Sequence, residues 1–370
     1  MLCATADAIR REFNAQPVIS VQTGSEREKR WLGLDSLAWV PRLNIRLMGR
    51  GIGQSSFLRR RLPLMLGSDV DAVFDISGFV FSDEWSHLNL DRRARDLAMW
   101  SEAGVPVYLL PQAFGPFAKT ASSARTVVGT SRMVFSRDRT SKKHLEELDH
   151  IDLSKIVDGV DFTVGVSPES LEGFEHLEGG AAIVPNWNIL SRGTESARQR
   201  YLETLSSWIQ GFEERGTTPF LLCHEGEKDE AIGRSVLAQS GASVELVSGL
   251  NGRQSKYLLS MSRFTVSGRF HALVSSLSTG VPAVSHGWSH KYRHLAEDFS
   301  VVDLISDPFG GVLEVGTVID RLYRDEERIR GSLRTESERQ LERISKMWEA
   351  IAMDMAECQT VVRDGEGKPW

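Results

Sequence analysis

Short apolar runs with the period of buried strands alternate along the first part of the chain with longer amphipathic runs of helical period. The predicted strands cover residues 17–22, 71–81, 105–110 and 132–136, and the predicted helices cover 1–14, 89–102, 119–129 and 141–148. Strands that alternate with helices favour a parallel sheet covered on both faces. This part of the chain therefore predicts a doubly wound α/β domain.

The same alternation starts again after residues 158–180, a segment rich in Gly, Glu and Ser with weak periodicity. The predicted strands are 181–184, 219–223, 243–247, 263–267 and 282–285, and the predicted helices are 196–214, 227–239, 252–261 and 272–278. A segment of this composition is typical of a domain junction. We predict two Rossmann-like, doubly wound parallel-sheet domains, over 1–170 and 171–370, that face each other across a cleft.

A charged run over residues 321–349 has the apolar spacing of amphipathic helices, with Leu333, Leu341, Ile344 and Met347 on the predicted buried side. We interpret this run as a helix that covers the second domain or crosses back to the first. A partner-binding helix is the less favoured interpretation.

Composition narrows the possible functions. The 370 residues, 41% hydrophobic and 25% charged, indicate a globular protein with more than one core, and the net charge of -6 argues against a nucleic-acid surface. Cys3, Cys223 and Cys358 are scattered and lack a CxxC spacing, which supports neither a disulfide framework nor a zinc site. Without a bilayer-length apolar run or a secretion signal, the predicted localisation is cytoplasmic, and association with the inner face of the plasma membrane stays open.

The stretch at residues 267–274 carries the strongest signal for chemistry. It places the cation Arg269 and the imidazole of His271 two residues apart, where a predicted strand turns into a helix of small residues that ends at Gly280. In an open parallel sheet this position lies beyond the carboxyl end of a strand, where ligands bind and the next helix offers unpaired N–H groups to an anion. The pattern predicts an anionic ligand.

Other strand ends carry polar or glycine-rich residues. These are Ser77 and Gly78, Gln112 and Phe114, Arg137, His224 and Glu225, and His290 and Lys291. We predict His271 and Arg137 as catalytic residues and the others, with Arg269, as substrate contacts. Cationic or titratable groups at strand ends of both domains imply an acidic ligand held in the cleft.

Structural roles compete with these predictions. Asp75 is expected to brace its turn rather than to act in catalysis, and Arg137 can form a surface ion pair with Asp138. The Phe114 side chain can have a packing role rather than contact the substrate, and the Arg269 side chain can pair with a carboxylate at the sheet edge. For Trp85, Trp187 and Trp288 we weigh sugar stacking against core packing, which is the favoured role for at least two of them.

Taken in order, several segments resemble the polysaccharide pyruvyl transferase family. They are DAVFDISGFVFSDEW, LLPQAFGPF, SRDRTS and, most specifically, SRFTVSGRFHALVSSLSTGVPAVSHGWSHKYRHLAEDF, which together span residues 71–303. The resemblance implies a fold like that of two-Rossmann-domain (GT-B) glycosyltransferases. It also implies transfer of a pyruvyl group from phosphoenolpyruvate to a sugar of a polysaccharide, glycolipid or oligosaccharide precursor, usually as a cyclic ketal.

The resemblance also assigns roles. Family members bind the carboxylate and phosphate of phosphoenolpyruvate with an arginine and a histidine whose positions are matched by Arg137 and His271. It implies a saccharide acceptor, whose lipid linkage we leave open, and no metal or cofactor beyond phosphoenolpyruvate as co-substrate. The family's Gly-Asn-x-Gly-Asp-like opening turn has no match here. We therefore expect the first β-α turn of the first domain to be missing, which puts the acceptor pocket in doubt.

The residue types suit this chemistry. Ketal formation needs a proton delivered to C3 of phosphoenolpyruvate, so that a sugar hydroxyl can attack C2, and an imidazole with a pKa near neutrality can give and take such protons. His271 is our candidate. Asp75, Asp138 and Glu225 are alternative acids or bases that the sequence does not rank.

Two other functions remain open. A glycosyltransferase of the same architecture would hold the diphosphate of a nucleotide sugar in the cationic cleft, with Glu225 or Asp229 on the ribose. A non-catalytic family member would bind a glycan or regulate a partner enzyme. The oligomeric state is not predicted.

Overall fold

The computed structural model describes residues 1–20, 23–37, 64–65, 67–78, 80–83, 87–241, 243–287 and 289–364. The chain divides into two compact units. Unit 1 comprises Met1–Phe162 with Arg343–Trp370, and unit 2 comprises Thr163–Glu342. The predicted domains divide between residues 170 and 171 instead, and they leave the C-terminal residues with the second domain.

Unit 1 is built from parallel strands alternating with helices. Its strands are β1 (Val18–Ser20), β2 (Asp35–Leu37), β3 (Leu64–Met65), β4 (Val73–Asp75), β5 (Val107–Gln112), β6 (Met133–Ser136) and β7 (Ile156–Asp158). Its helices are α1 (Leu2–Phe13), α2 (Glu26–Trp31), α3 (His87–Glu102), α4 (Ala121–Thr130) and α5 (Arg139–Glu146). Within the described ranges, β1-β2-β3 form one sheet and β4-β5-β6-β7 form another, all pairs parallel.

Strand β5 lies at the centre of the unit 1 core. All of its residues are buried, which is typical of a parallel strand covered on both faces. Leu90 and Leu97 of α3 and Val127 of α4 pack in the same cluster as Leu109 of β5. A polar side chain on this strand, such as that of Gln112, therefore needs partners inside the protein.

Unit 2 repeats the alternation. Its strands are β8 (Ala181–Val184), β9 (Pro219–Leu222), β10 (Glu245–Val247), β11 (Phe264–Ser267) and β12 (Ala283–Ser285). Its helices are α6 (Trp187–Arg192), α7 (Glu195–Glu213), α8 (Gly226–Ser240), α9 (Gly252–Met261), α10 (Phe270–Ser278) and α11 (His290–Asp298).

The strand order of the unit 2 sheet is β10-β9-β8-β11-β12, with every pair parallel. The chain moves from β8 through β9 to β10 on one side, and then returns to β11 and β12 on the other. The topological switch point therefore lies between the carboxyl ends of β8 and β11, where open α/β sheets form their ligand crevice.

The charged C-terminal run lies in one helix, α12 (Gly311–Asp364), which extends beyond the predicted range of 321–349 at both ends. Leu333, Ile344 and Met347 are buried as predicted. The prediction for Leu341 is wrong, because its side chain is 46% exposed. In the part of the chain that the structure describes, none of the helices has the length and apolar character that crossing a membrane needs.

Helix α12 begins in unit 2, and its residues from Arg343 onward belong to unit 1. The ring of Trp348 lies 5.8 Å from that of Phe74 and 6.1 Å from that of Phe13. The carboxylate of Asp354 accepts a 2.6 Å hydrogen bond from the hydroxyl of the buried Tyr108. These contacts explain why the last part of the helix groups with unit 1 and not with the second domain.

Candidate functional site

The turn after β11 positions the strongest sequence motif. Ser267 closes it, because its hydroxyl accepts a hydrogen bond from the Arg269 N–H at 2.9 Å and donates to the Arg269 carbonyl at 3.1 Å. Helix α10 then starts at Phe270, two residues earlier than the sequence predicts. His271 consequently lies in the first turn of the helix.

Gly268 allows close packing in this turn. Its carbonyl accepts hydrogen bonds from the side-chain amide of Asn186 and from the Tyr292 hydroxyl, the latter at 2.8 Å. A Cβ atom at Gly268 would lie 2.7 Å from Ile189 Cδ1 and 2.8 Å from Asn186 Cβ. The turn is therefore built for glycine, and Asn186, which follows β8, connects the two sides of the switch point.

The side chain of Arg269 is held by two carboxylates of α8. Its Nε and Nη2 donate to Asp229 at 2.8 and 2.5 Å, and its Nη1 donates to Glu225. Asp229 is fully buried and also accepts the backbone N–H groups of Trp187 at 3.0 Å and Glu225 at 3.1 Å. Of the two roles weighed for Arg269, pairing with a carboxylate is the one observed.

His224 lies beside this network, just past the end of β9. Burial, with a further contribution from the Arg269 charge, lowers the pKa of His224 from its usual value to about 4. The imidazole is therefore neutral near pH 7. Its Nδ1 is buried and has no hydrogen-bond partner among the described residues.

Phe270 brings His271 and Lys291 together in unit 2. The rings of Phe270 and His271 meet edge to face with centroids 5.6 Å apart, and Lys291 Nζ lies 5.3 Å from the centre of the Phe270 ring. Both side chains thus contact one aromatic ring beside the α10 N-terminus. His290 is exposed, and its ring lies 6.0 Å from that of His294.

The predicted contacts of unit 1 form a braced turn after β4. Asp75 accepts the Ser77 N–H at 2.9 Å and pairs with Arg93 Nε at 2.7 Å, and Arg93 also donates to the Ser77 hydroxyl. Gly78 takes a positive φ of 73°. Asp75 thus braces its turn, as the sequence favours.

Gln112 belongs to the same brace rather than to an open binding surface. It is fully buried, its Oε1 accepts the Gly78 N–H at 2.7 Å, and its Nε2 donates to Asp75 Oδ1 at 3.2 Å. Both ends of the amide are therefore occupied by protein groups. In this structure the amide supports the turn, and the substrate contact of Gln112 stays a prediction.

Phe114 lies in the unit 1 core, and its contact with substrate stays a prediction. Its side chain is buried and stacks on Phe81 with ring centroids 5.5 Å apart. Its backbone N–H donates to the Ser141 hydroxyl at 3.0 Å.

Arg137 follows β6, and its partner differs from the one considered. Arg137 Nη1 lies 3.4 Å from Asp161 Oδ2, and both side chains are largely buried. Asp138 instead caps α5 by accepting the Ser141 N–H at 2.8 Å. The surface pair of Arg137 with Asp138 is not what forms.

Of the three tryptophans considered for sugar stacking, Trp187 belongs to the described residues, whereas Trp85 and Trp288 lie outside them. Trp187 begins α6, and Lys228 Nζ lies 5.7 Å from the centre of its ring. Among the residues that the structure describes, no group of three or more His, Cys, Asp or Glu side chains could hold a metal ion.

The sequence analysis did not single out several residues of these networks, namely Asn186, Tyr292, Arg93 and Tyr201, whose hydroxyl accepts the Asn186 N–H at 3.0 Å. Asn186 offered a signal, since an asparagine directly after a predicted strand is a helix N-cap candidate, and its side chain does accept the Asn188 N–H at 2.9 Å. Arg93 offered none, because it lies in the middle of an amphipathic helix.

A family model for polysaccharide pyruvyl transferase matches residues 1–290. The chain belongs to this family. The match covers most of the chain and includes the strand-end residues described above except Lys291, which lies one residue beyond it. No curated protein matches this pyruvyl transferase family member in a sequence comparison.

Solved structures show which fold this family member has. A putative UDP-N-acetylglucosamine 2-epimerase from Listeria monocytogenes is similar with a TM-score of 0.59 at 11% identity, over 94% of this chain and 93% of that one. The Anabaena protein HepE, in complex with UDP-glucose, has a TM-score of 0.55 at 10% identity, over 97% and 96%. S. aureus MnaA, in a structure with UDP, has a TM-score of 0.54 at 12% identity, over 90% and 86%. The predicted fold class, GT-B-like with two parallel α/β domains, is confirmed.

Proposed function

We propose that this chain transfers a pyruvyl group from phosphoenolpyruvate to a sugar of a polysaccharide, glycolipid or oligosaccharide precursor and forms a cyclic ketal. The observation that carries the proposal is the family match over residues 1–290, which spans the α10 motif with His271. The acceptors we propose are exopolysaccharide or cell-wall glycans. The fold neighbours support the architecture only.

The site of unit 2 supports an anionic donor. The α10 N-terminus presents backbone N–H groups, and Arg269, its N-cap residue, makes no side-chain cap. Lys291 adds a compact charge beside Phe270. An anion placed before α10 would therefore meet the helix dipole, and Lys291 and Arg269 are the cations of unit 2 that we propose to hold it.

The reaction we propose needs a proton at C3 of phosphoenolpyruvate, which makes C2 electrophilic. One sugar hydroxyl attacks C2 and loses its proton, the C2–O bond to phosphate breaks, and a second hydroxyl closes the ketal at the same carbon and loses its proton to the released phosphate. His271 is the proposed proton donor and acceptor, worth about 10²–10⁴-fold in rate. Arg137, Arg269 and Lys291 would hold the donor charges and stabilise the departing phosphate.

We propose phosphoenolpyruvate as co-substrate with no other cofactor. Ser77 and Gly78 remain proposed substrate contacts of unit 1, and His224, Glu225 and His290 remain proposed contacts of unit 2. We propose the cytoplasm as the place of reaction, at the inner face of the plasma membrane when the acceptor is lipid-linked.

A nucleotide-sugar glycosyltransferase is the second candidate, because fold neighbours have been solved with UDP or UDP-glucose. Thermal shift separates the two candidates, since a donor at a hundred times its dissociation constant stabilises the folded state by about 2.7 kcal/mol. We expect phosphoenolpyruvate to raise the melting temperature and UDP-sugars to have no effect. The opposite result would favour the glycosyltransferase.

The deciding experiment incubates the full chain with phosphoenolpyruvate and a panel of β-linked galactosides, glucosides and mannosides. We expect phosphate release together with a product heavier by one pyruvate less one water. Phosphate release without this product would indicate hydrolysis. Inactivity across the panel would favour a non-catalytic, glycan-binding role.

A further inference from the structure

The two carboxylates that hold Arg269 differ in how easily they can leave it. Asp229 is fully buried and bonds two guanidinium nitrogens and two backbone N–H groups. Glu225 bonds only Nη1, and its side chain is 57% exposed. Water can solvate the Glu225 carboxylate when it moves away, whereas Asp229 would be left buried with its charge unpaired.

Charge around Arg269 opposes a second anion while Glu225 stays in place. One guanidinium faces two carboxylates, so this group of three side chains carries an excess negative charge. His224 does not offset this charge, because burial keeps its pKa at about 4. A phosphate or carboxylate ligand that approached Arg269 would thus be repelled by the net negative charge of these three side chains.

Position makes Glu225 the group to be displaced. It is the N-cap residue of α8 and follows β9 by only a few residues, so its carboxylate lies at the ligand-binding edge of the sheet. The Arg269 side chain itself is only 8% exposed. The nitrogen that Glu225 occupies is the one that Asp229 leaves available.

We propose that the Glu225 carboxylate is an exchangeable counterion on Arg269 Nη1, and that an anionic group of the ligand replaces it on binding. Glu225 therefore sets the affinity of the unit 2 site for anions by competing with them for Arg269 Nη1. Naming phosphoenolpyruvate as the natural ligand rests on the proposed function, but the exchange itself requires only an anion.

The test compares Glu225→Gln with Glu227→Gln in the full chain. Glu227 lies in the first turn of the same helix and is exposed, so both variants remove one negative charge from the α8 N-terminus. Inorganic phosphate and phosphoenolpyruvate are titrated separately by calorimetry, at one ionic strength. We expect Glu225→Gln to bind each anion about fivefold more tightly than the unchanged protein, and Glu227→Gln to stay within about twofold.

Three results would overturn the exchange. These are unchanged or weaker anion binding in Glu225→Gln, equal tightening in both variants, and no phosphate binding to any variant. Glu225→Ala removes the same charge with a different side chain, and its anion affinity should rise as in Glu225→Gln. The melting temperature of every variant shows whether the fold is intact. Tighter phosphate binding in Glu225→Gln without pyruvyl transfer to any acceptor would reject the proposed function and leave the exchange intact.

Discussion

The guanidinium of Arg269 and the carboxylate of Asp229 form two parallel hydrogen bonds inside unit 2, Nε to Oδ2 at 2.8 Å and Nη2 to Oδ1 at 2.5 Å. The pair joins the first residues of α8 and α10 across strands β9, β8 and β11. It therefore fixes the geometry of the strand ends on which the site is built.

Replacing Asp229 with Ala should destabilise the chain by about 3–5 kcal/mol, because it leaves the Arg269 charge buried without its main partner. Chemical denaturation measures this loss. Asp320→Ala is the matched control, since Asp320 pairs with Arg215 at the surface and should cost less than about 1 kcal/mol. Equal losses in both variants would contradict a special role for the buried pair.

His271→Ala should reduce pyruvyl transfer by about 10²–10⁴-fold while thermal unfolding stays nearly unchanged. The reason is that the imidazole is the proposed proton carrier at C3 of phosphoenolpyruvate. Phosphate release and melting temperature are the two measurements. The exposed His176, which pairs with Glu245, supplies the control His176→Ala. Full activity of His271→Ala would remove this residue from the mechanism.

Arg137→Ala should abolish transfer and weaken phosphoenolpyruvate binding, because the proposed role of Arg137 is to hold the donor charges. Its neighbour Arg139 is exposed in the first turn of α5, so Arg139→Ala removes the same charge nearby. Titration with phosphoenolpyruvate compares the two variants. Normal affinity in Arg137→Ala would assign Arg137 a structural role, which includes its contact with Asp161.

Gly268→Ala should destabilise the chain by roughly 1–3 kcal/mol, because the new Cβ would overlap Ile189 and Asn186. Gly331→Ala in α12 is the control, since a Cβ there meets no atom within 4 Å. That control should be neutral or stabilising by about 0.5–1 kcal/mol. A tolerated Gly268→Ala would mean that the turn can relax.

Stability should fall as the pH falls below about 6.5, because burial lowers the pKa of His286 to about 3 and burial together with the Arg269 charge lowers that of His224 to about 4. The unfolded chain then binds protons that the folded chain does not, so each histidine costs roughly 1 kcal/mol per pH unit between pH 6 and 5. Denaturant unfolding at several pH values measures the slope. His286→Asn should flatten it, and an unchanged slope would show that His286 does not contribute.

Much of the architecture follows from the sequence, because buried strands and amphipathic helices have different periods. Residues 181–184 and 252–261 match β8 and α9, and the ligand-binding edge follows from the order of the elements. The full length of α12 was not predicted, because the sequence indicated a helix only over residues 321–349. Helical periodicity predicts which face of a helix is buried but not where the helix begins and ends. Leu341 shows that a residue of the apolar stripe can be exposed along such a helix.

The sequence predicted which strand ends carry the site residues, but it did not predict the partners of their side chains. Gln112 ends β5 and Arg269 lies two residues past β11, close to the predicted strand ends, yet their side chains bond the Gly78 turn and Asp229. Where a long polar side chain points depends on partners distant in sequence, such as the 40 residues that separate Arg269 from Asp229. Local patterns carry no information about such partners.

Unit 1 is discontinuous in sequence, since Trp348 and Asp354 of α12 complete its aromatic cluster and cover Tyr108. During synthesis on the ribosome, all of unit 2 emerges before these residues do. The half that is translated first therefore cannot complete this aromatic cluster until Trp348 and Asp354 have been translated, so a truncation before Trp348 would damage packing around Phe13 and Phe74, near the first residues of the chain.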